Sequence, residues 1–116
     1  VSFVKLSSYK GTTSTELVNE LIGINEDLTG RTIVILEDII DTGSTLHKIY
    51  DCFKNKQVKQ LKIATLFFKP DVYRKELPID YIGKSIEDKF IVGYGLDYNG
   101  LGRNLPAVYQ LTTEAT

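Results

Sequence analysis

Nine consecutive residues concentrate the chemistry available to this chain: Glu37-Asp38-Ile39-Ile40-Asp41-Thr42-Gly43-Ser44-Thr45. They set three carboxylates, three hydroxyls and one glycine between a β-branched run, residues 32–36, and an amphipathic stretch, residues 45–54. The start of a helix offers backbone N–H groups without intrahelical partners, at the positive end of the helix dipole. A glycine turn at that point makes a cradle for a terminal phosphate. Gly43 lets the backbone approach closely, and Thr42, Ser44 and Thr45 can add hydroxyl donors. Glu37 and Asp38 stand too near the cradle to meet a phosphate without repulsion. They suit neutral hydroxyls, or a cation held beside a sugar phosphate. Asp41, further along the turn, is placed to accept a proton from a group above the sugar. A ribose 5-phosphate meets all of these requirements.

Plainer readings exist for each part. Thr42 or Ser44 can be an ordinary helix cap, and Asp41 a helix-start charge. Acids at a strand end can also make a receiver-type magnesium site. A strand-to-helix turn with one acid and one glycine is a weak signal, whereas all nine residues in register after a β-branched strand are far more specific.

The flanking segments supply the elements that must hold this turn. TIVIL, residues 32–36, is expected to be a strand buried on both faces of a parallel sheet. Leu46, Ile49, Tyr50 and Phe53 fall at i, i+3, i+4 and i+7, which predicts a helix over 45–54. His47 falls on the polar side of that helix and is given no chemical role, and Cys52 reads as a small packing residue. LKIATLFF, residues 61–68, is a second buried strand. Strand, helix and strand make a βαβ unit over 32–68, hence a right-handed crossover and a parallel pair. Upstream, residues 1–6 and 16–24 read as strands around a small-residue loop at 7–14, so 1–24 forms an arm. Asp27-Leu28-Thr29-Gly30 is a turn. Downstream, short strands are expected at 80–83, 90–93 and 107–111, with prolines in the connections. The fold class is therefore α/β, an open and mostly parallel sheet with accessory strands. Ligands of such sheets bind beyond the carboxyl ends of the strands.

VILEDIIDTGST, residues 34–45, resembles the phosphoribosyl-pyrophosphate (PRPP) motif of the type I phosphoribosyltransferases. By that resemblance Glu37 and Asp38 would bind the ribose hydroxyls with magnesium nearby, Asp41 would act as general base near the purine N7, and 41–45 would wrap the 5-phosphate. Lys69, at the end of LKIATLFFK, and the segment DKFIVGYGLDYNGLGRNLP, residues 88–106, are similar to the hypoxanthine-guanine branch. The resemblance implies that Lys69 donates to a purine 6-oxo group, Phe90 stacks on the base and the Ile91 backbone reads its edge. Asp97 would help hold magnesium and Arg103 would meet pyrophosphate, although Gly100-Leu101-Gly102 stands where that branch often carries an aromatic residue. Ser7-Ser8-Tyr9 is similar to the Ser-Tyr lid of the same branch, with Ser8 and Tyr9 closing over the site. Residues 69–116 then form a purine-binding segment. The implied reaction is transfer of the 5-phosphoribosyl group from PRPP to hypoxanthine or guanine, giving IMP or GMP, in a homo-oligomeric enzyme, a dimer or tetramer. A regulatory PRPP- or nucleotide-binding protein without turnover, and an inactive fragment, are the rivals.

Composition narrows the partners. A net charge of -1 supplies no broad basic face for nucleic acid. The apolar runs are too short to span a bilayer and no signal peptide opens the chain, which points to the cytoplasm. With one cysteine no intrachain disulfide can form, as in a reducing compartment. The chain opens directly on Val1-Ser2-Phe3-Val4 and holds no Met. That opening is expected to lie inside a longer protein, whose first core strands and pyrophosphate-binding loop would precede the lid.

Overall fold

A computed structural model describes residues 1–3, 5–7, 19–22 and 26–112. The arm appears as two short antiparallel strands, β1 (Lys5–Ser7) and β2 (Asn19–Ile22), with an irregularity in register between Lys5 and Leu6. Residues 1–3, expected to open the first strand, are not strand. The lid residues Ser8 and Tyr9 lie outside the described residues.

The turn at 27–30 forms as its side chains dictate. Thr29 N–H donates to Asp27 Oδ1 at 3.0 Å, Arg31 N–H donates to Leu28 O at 3.0 Å, and Gly30 takes φ 72°. Leu28 is buried and pins the turn to the core.

Beyond it runs a parallel sheet of β3 (Thr32–Ile40), β4 (Gln60–Phe68) and β5 (Tyr81–Ser85), in the order β3-β4-β5. β3 is longer than the β-branched run. Its pairing with β4 continues through Glu37↔Thr65 and Ile39↔Phe67 to Ile40↔Phe68. The acid pair thus lies within the strand, because the parallel partner keeps the ladder going past the last β-branched residue. Asp80 sets the start of β5: its N–H donates to Ile63 O at 2.9 Å while its Oδ2 accepts from Ile63 N–H at 2.7 Å. A final antiparallel pair, β6 (Ile91–Val92) and β7 (Tyr109–Gln110), falls within the spans expected for the last two strands.

Helix α1 (Ser44–Lys54) joins β3 to β4 and begins one residue before its predicted start. Leu46 and Phe53 are buried, and Ile49 and Tyr50 pack partly buried against the same cluster, which includes Ile35, Ile40, Ile63 and Phe68. His47 sits on the exposed side with Nε2 3.4 Å from Asp51 Oδ2. Cys52 is half-buried. The buried hydroxyl of Thr65 is satisfied by donating to Phe67 O at 2.9 Å.

One expectation fails. β3 is covered on a single face: Ile35 is buried, while its neighbours Val34 and Leu36, pointing the other way, are 48% and 73% exposed. Among the described residues β3 is also an outer strand of its sheet. A continuous apolar run states that a strand can be buried twice; whether it is depends on which layers are present. Among the described residues no helix is long and apolar enough to cross a membrane.

Candidate active site

The carboxyl ends of β3 and β4 bring the chemical residues together. Glu37 is half-buried on the face of β3 shared with Ile35, and Asp38 is exposed on the opposite face. Burial, with the charge of Asp38 adding to it, pushes the Glu37 carboxyl above its ordinary value. Asp38 Oδ1 accepts the Ile39 N–H at 2.7 Å.

After Ile40 the chain turns sharply. Gly43 is the N-cap of α1, with φ 90° and ψ 4°, in the left-handed region that side chains disfavour. Its carbonyl accepts the first helical bond, from His47 N–H at 2.9 Å. No side chain caps the helix, and no acid occupies its first turn. The N-cap position falls to Gly43 rather than to Thr42 or Ser44. Thr42 Oγ1 donates to Ser44 Oγ at 3.3 Å and accepts the Ser44 N–H in a long bond of 3.5 Å. The turn encloses a hollow of about 100 Å³, lined by Glu37 and residues 39–46. A larger concavity of about 460 Å³ follows β3 toward residues 1–3 and shares only Glu37 with it. The small hollow is the better anion site, since the uncapped helix N-terminus opens into it.

Residues 73–75 buttress this turn, a part the sequence reading did not identify. Arg74 N–H donates to Thr42 O at 3.1 Å. A Cβ on Gly43 would come within 2.6 Å of the Tyr73 ring and 2.8 Å of Lys75 Cγ. Tyr73 is itself held, edge-on to Phe68 and donating to Leu77 O at 2.7 Å. The stretch between Pro70 and Pro78 has neither helical nor strand periodicity, so no sequence signal marks the contact.

Lys69 follows β4 directly, and its N–H donates to Ile40 O at 3.1 Å, which carries the ladder one residue further. Parallel register thereby sets Lys69 beside Asp41. Lys69 is 5% exposed, and its Nζ donates to Asp41 Oδ2 at 3.3 Å. Asp88 Oδ1 is also near, at 3.6 Å. A buried ammonium is tolerated only with such partners.

The remaining candidates group around β6. Phe90 is 52% exposed, edge-on to Tyr98 with ring centroids 5.7 Å apart. Ile91 is half-buried in β6. Asp97 and Arg103 meet each other: Arg103 Nη2 is 3.1 Å from Asp97 Oδ1, Arg103 Nη1 donates to Gly95 O at 3.0 Å, and Asp97 Oδ2 accepts the Gly100 N–H at 2.8 Å. Among the described residues no group of three or more His, Cys, Asp or Glu side chains could hold a metal ion. Carboxylates spread over separate elements suit an ion that keeps waters and takes most of its ligands from a bound phosphate, the habit of magnesium.

A family model described as "Phosphoribosyl transferase domain" matches residues 1–99. The hypoxanthine-guanine phosphoribosyltransferases of Streptococcus agalactiae and Staphylococcus epidermidis are 44% and 41% identical to this chain over 115 residues. Each alignment takes in 98% of the chain, which spans about 64% of the length of these curated relatives. Among solved structures, a hypoxanthine phosphoribosyltransferase from Staphylococcus aureus superposes with a TM-score of 0.83 at 40% identity, covering 95% of this chain and 60% of that one. The Trypanosoma cruzi enzyme in complex with IMP gives 0.85 at 33% identity, covering 99% and 61%. Because the family match runs from the arm through the glycine turn and the buried lysine to Asn99, this chain belongs to the phosphoribosyl transferase domain family.

Proposed function

We propose that this protein transfers the 5-phosphoribosyl group of PRPP to a 6-oxopurine, hypoxanthine or guanine, releasing pyrophosphate. One observation carries the choice of base: a buried ammonium and a carboxylate stand side by side, Lys69 Nζ 3.3 Å from Asp41 Oδ2, above the glycine turn. A 6-oxopurine protonated at N7 presents an acceptor and a donor next to each other on one edge. The pair opens to receive that edge, Lys69 donating to the oxo group and Asp41 accepting from N7. Adenine would set an amino group against the ammonium, donor facing donor, and lose the hydrogen bond that the oxo group accepts, which rejects it. The neighbouring relatives, named for hypoxanthine and guanine, support the same choice.

The uncapped turn from Asp41 to Thr45 holds the 5-phosphate, Glu37 and Asp38 serve the ribose hydroxyls, and Phe90 and Ile91 receive the base. With both partners fixed in line, bond breaking at ribose C1 runs ahead of bond making, through an oxocarbenium-like state. Asp41 takes the proton the purine loses. Arg103 leaves Asp97 for the pyrophosphate. Asp97, with Glu37 and Asp38 through water, would hold magnesium, which when bound would supply positive charge to offset that of pyrophosphate. Ser8 and Tyr9 close over the site and exclude water. A dimer or tetramer in the reducing cytoplasm completes the reading.

The test is magnesium-dependent synthesis of IMP from hypoxanthine and PRPP by the full-length protein. IMP formation is expected; nucleotide binding without turnover would move the assignment to a regulatory PRPP-binding protein.

A further inference from the structure

Neither the phosphate turn nor the base-binding residues account for Asp88. The Lys69 ammonium lies between two carboxylates from separate parts of the chain, Asp41 after β3 at 3.3 Å and Asp88 before β6 at 3.6 Å. Asp88 does not line the hollow of the glycine turn. Its segment is tied to the strand that carries the lysine, since Ile86 N–H donates to Phe68 O at 2.8 Å, one residue before Lys69. The carboxylate is therefore held relative to the ammonium by the backbone of β4.

A desolvated ammonium needs an anionic partner at every stage, because removing the last one strands a buried charge. In the reaction proposed above, Asp41 accepts the purine proton and so loses its charge while Lys69 is still buried. Asp88 is the partner that remains. Its side chain is 57% exposed, so one oxygen can stay hydrated while the other meets Lys69, which limits the desolvation cost. Resting on that functional reading, we infer that Asp88 is a positioning residue that steers the Lys69 ammonium to the 6-oxo group while Asp41 serves the purine N7.

The experiment compares full-length wild type, Asp88→Asn, Lys69→Ala and the double variant, by steady-state kinetics and by binding of IMP and of ribose 5-phosphate. Asp88→Asn keeps the size of the side chain and removes its charge. It is expected to raise KM for hypoxanthine and Kd for IMP roughly ten- to hundredfold, the range for a hydrogen bond to a charged group. KM for PRPP and Kd for ribose 5-phosphate should stay unchanged. In the Lys69→Ala background Asp88→Asn should add no further loss, because its effect passes through the lysine. Equal losses for base and phosphate ligands, additive losses in the double variant, or wild-type behaviour of Asp88→Asn would each overturn the role. Should Asp88→Asn not fold, Asp88→Glu reads the same question with the charge kept but displaced. A selective rise in hypoxanthine KM supports the role, and no rise or an equal rise for PRPP defeats it. A wild-type protein that makes no IMP overturns the functional reading itself, which separates that failure from a failure of Asp88 alone.

Discussion

Asp41 answers to two partners, the buried Lys69 ammonium and, by the proposed reaction, a purine proton during turnover. Asp41→Asn keeps the shape and leaves Asp88 to pair with Lys69. We expect turnover to fall about 10²–10⁴-fold, the usual worth of a general base, with IMP affinity largely retained; rapid-quench kinetics beside IMP titration would show it. Parallel loss of both would mark Asp41 as structural. Gly43 is constrained twice, by its left-handed φ and by the Tyr73 and Lys75 side chains over it. Gly43→Ala should cost about 1–3 kcal/mol of stability from backbone strain alone and weaken ribose 5-phosphate binding. Glu37 links the site to pH. Its folded-state value lies above 4.5, so as pH rises from 4.5 through that raised value the unfolded chain gives up its proton first. Stability present below this window is lost across it. Glu37→Gln should therefore flatten the fall in melting temperature over that interval while weakening ribose binding; an unchanged slope would contradict the assignment.

At the level of elements, α1 positions the site by burying one stripe against β3 and β4. Leu46 is 2% exposed and two residues beyond the first helical residue, so truncating it loosens the turn and the core together. Leu46→Ala should cost about 2–5 kcal/mol, measured by urea unfolding, whereas His47→Ala, in an exposed pair with Asp51, should change stability by less than about 0.5 kcal/mol. The spacing of Leu46, Ile49, Tyr50 and Phe53 made this helix legible in the sequence, as the β-branched run did for β3. The ends of strands were less so. β3 reaches Ile40 because β4 keeps pairing with it, information held in another segment. Separation in sequence likewise hid Asp88 from Lys69 and the 73–75 segment from Gly43. Local patterns report periodicity and turn chemistry; contacts across a sheet end depend on register, which a single strand does not encode.

At the level of the whole molecule, the sheet has a covered face and a bare one. Val34 and Leu36 stand exposed on β3, Leu66 on β4, and β3 is an outer strand among the described residues. An outer strand with a β-branched run offers its edge N–H and C=O groups as a template for another strand. Five successive residues, Thr32 to Leu36, combine high strand propensity with no charge and no proline. The net charge of -1 adds almost no repulsion between copies. The isolated 116-residue chain is therefore expected to aggregate as concentration rises, through β3, and light scattering should follow that rise. Leu36→Lys sets a gatekeeper charge on the exposed side without touching the core, and should suppress the scattering at unchanged helix content. The stretch that carries the candidate acids Glu37 and Asp38 into place is thus also a solubility hazard of the isolated chain, so the segment that positions the proposed chemistry is the one that most needs a covering partner.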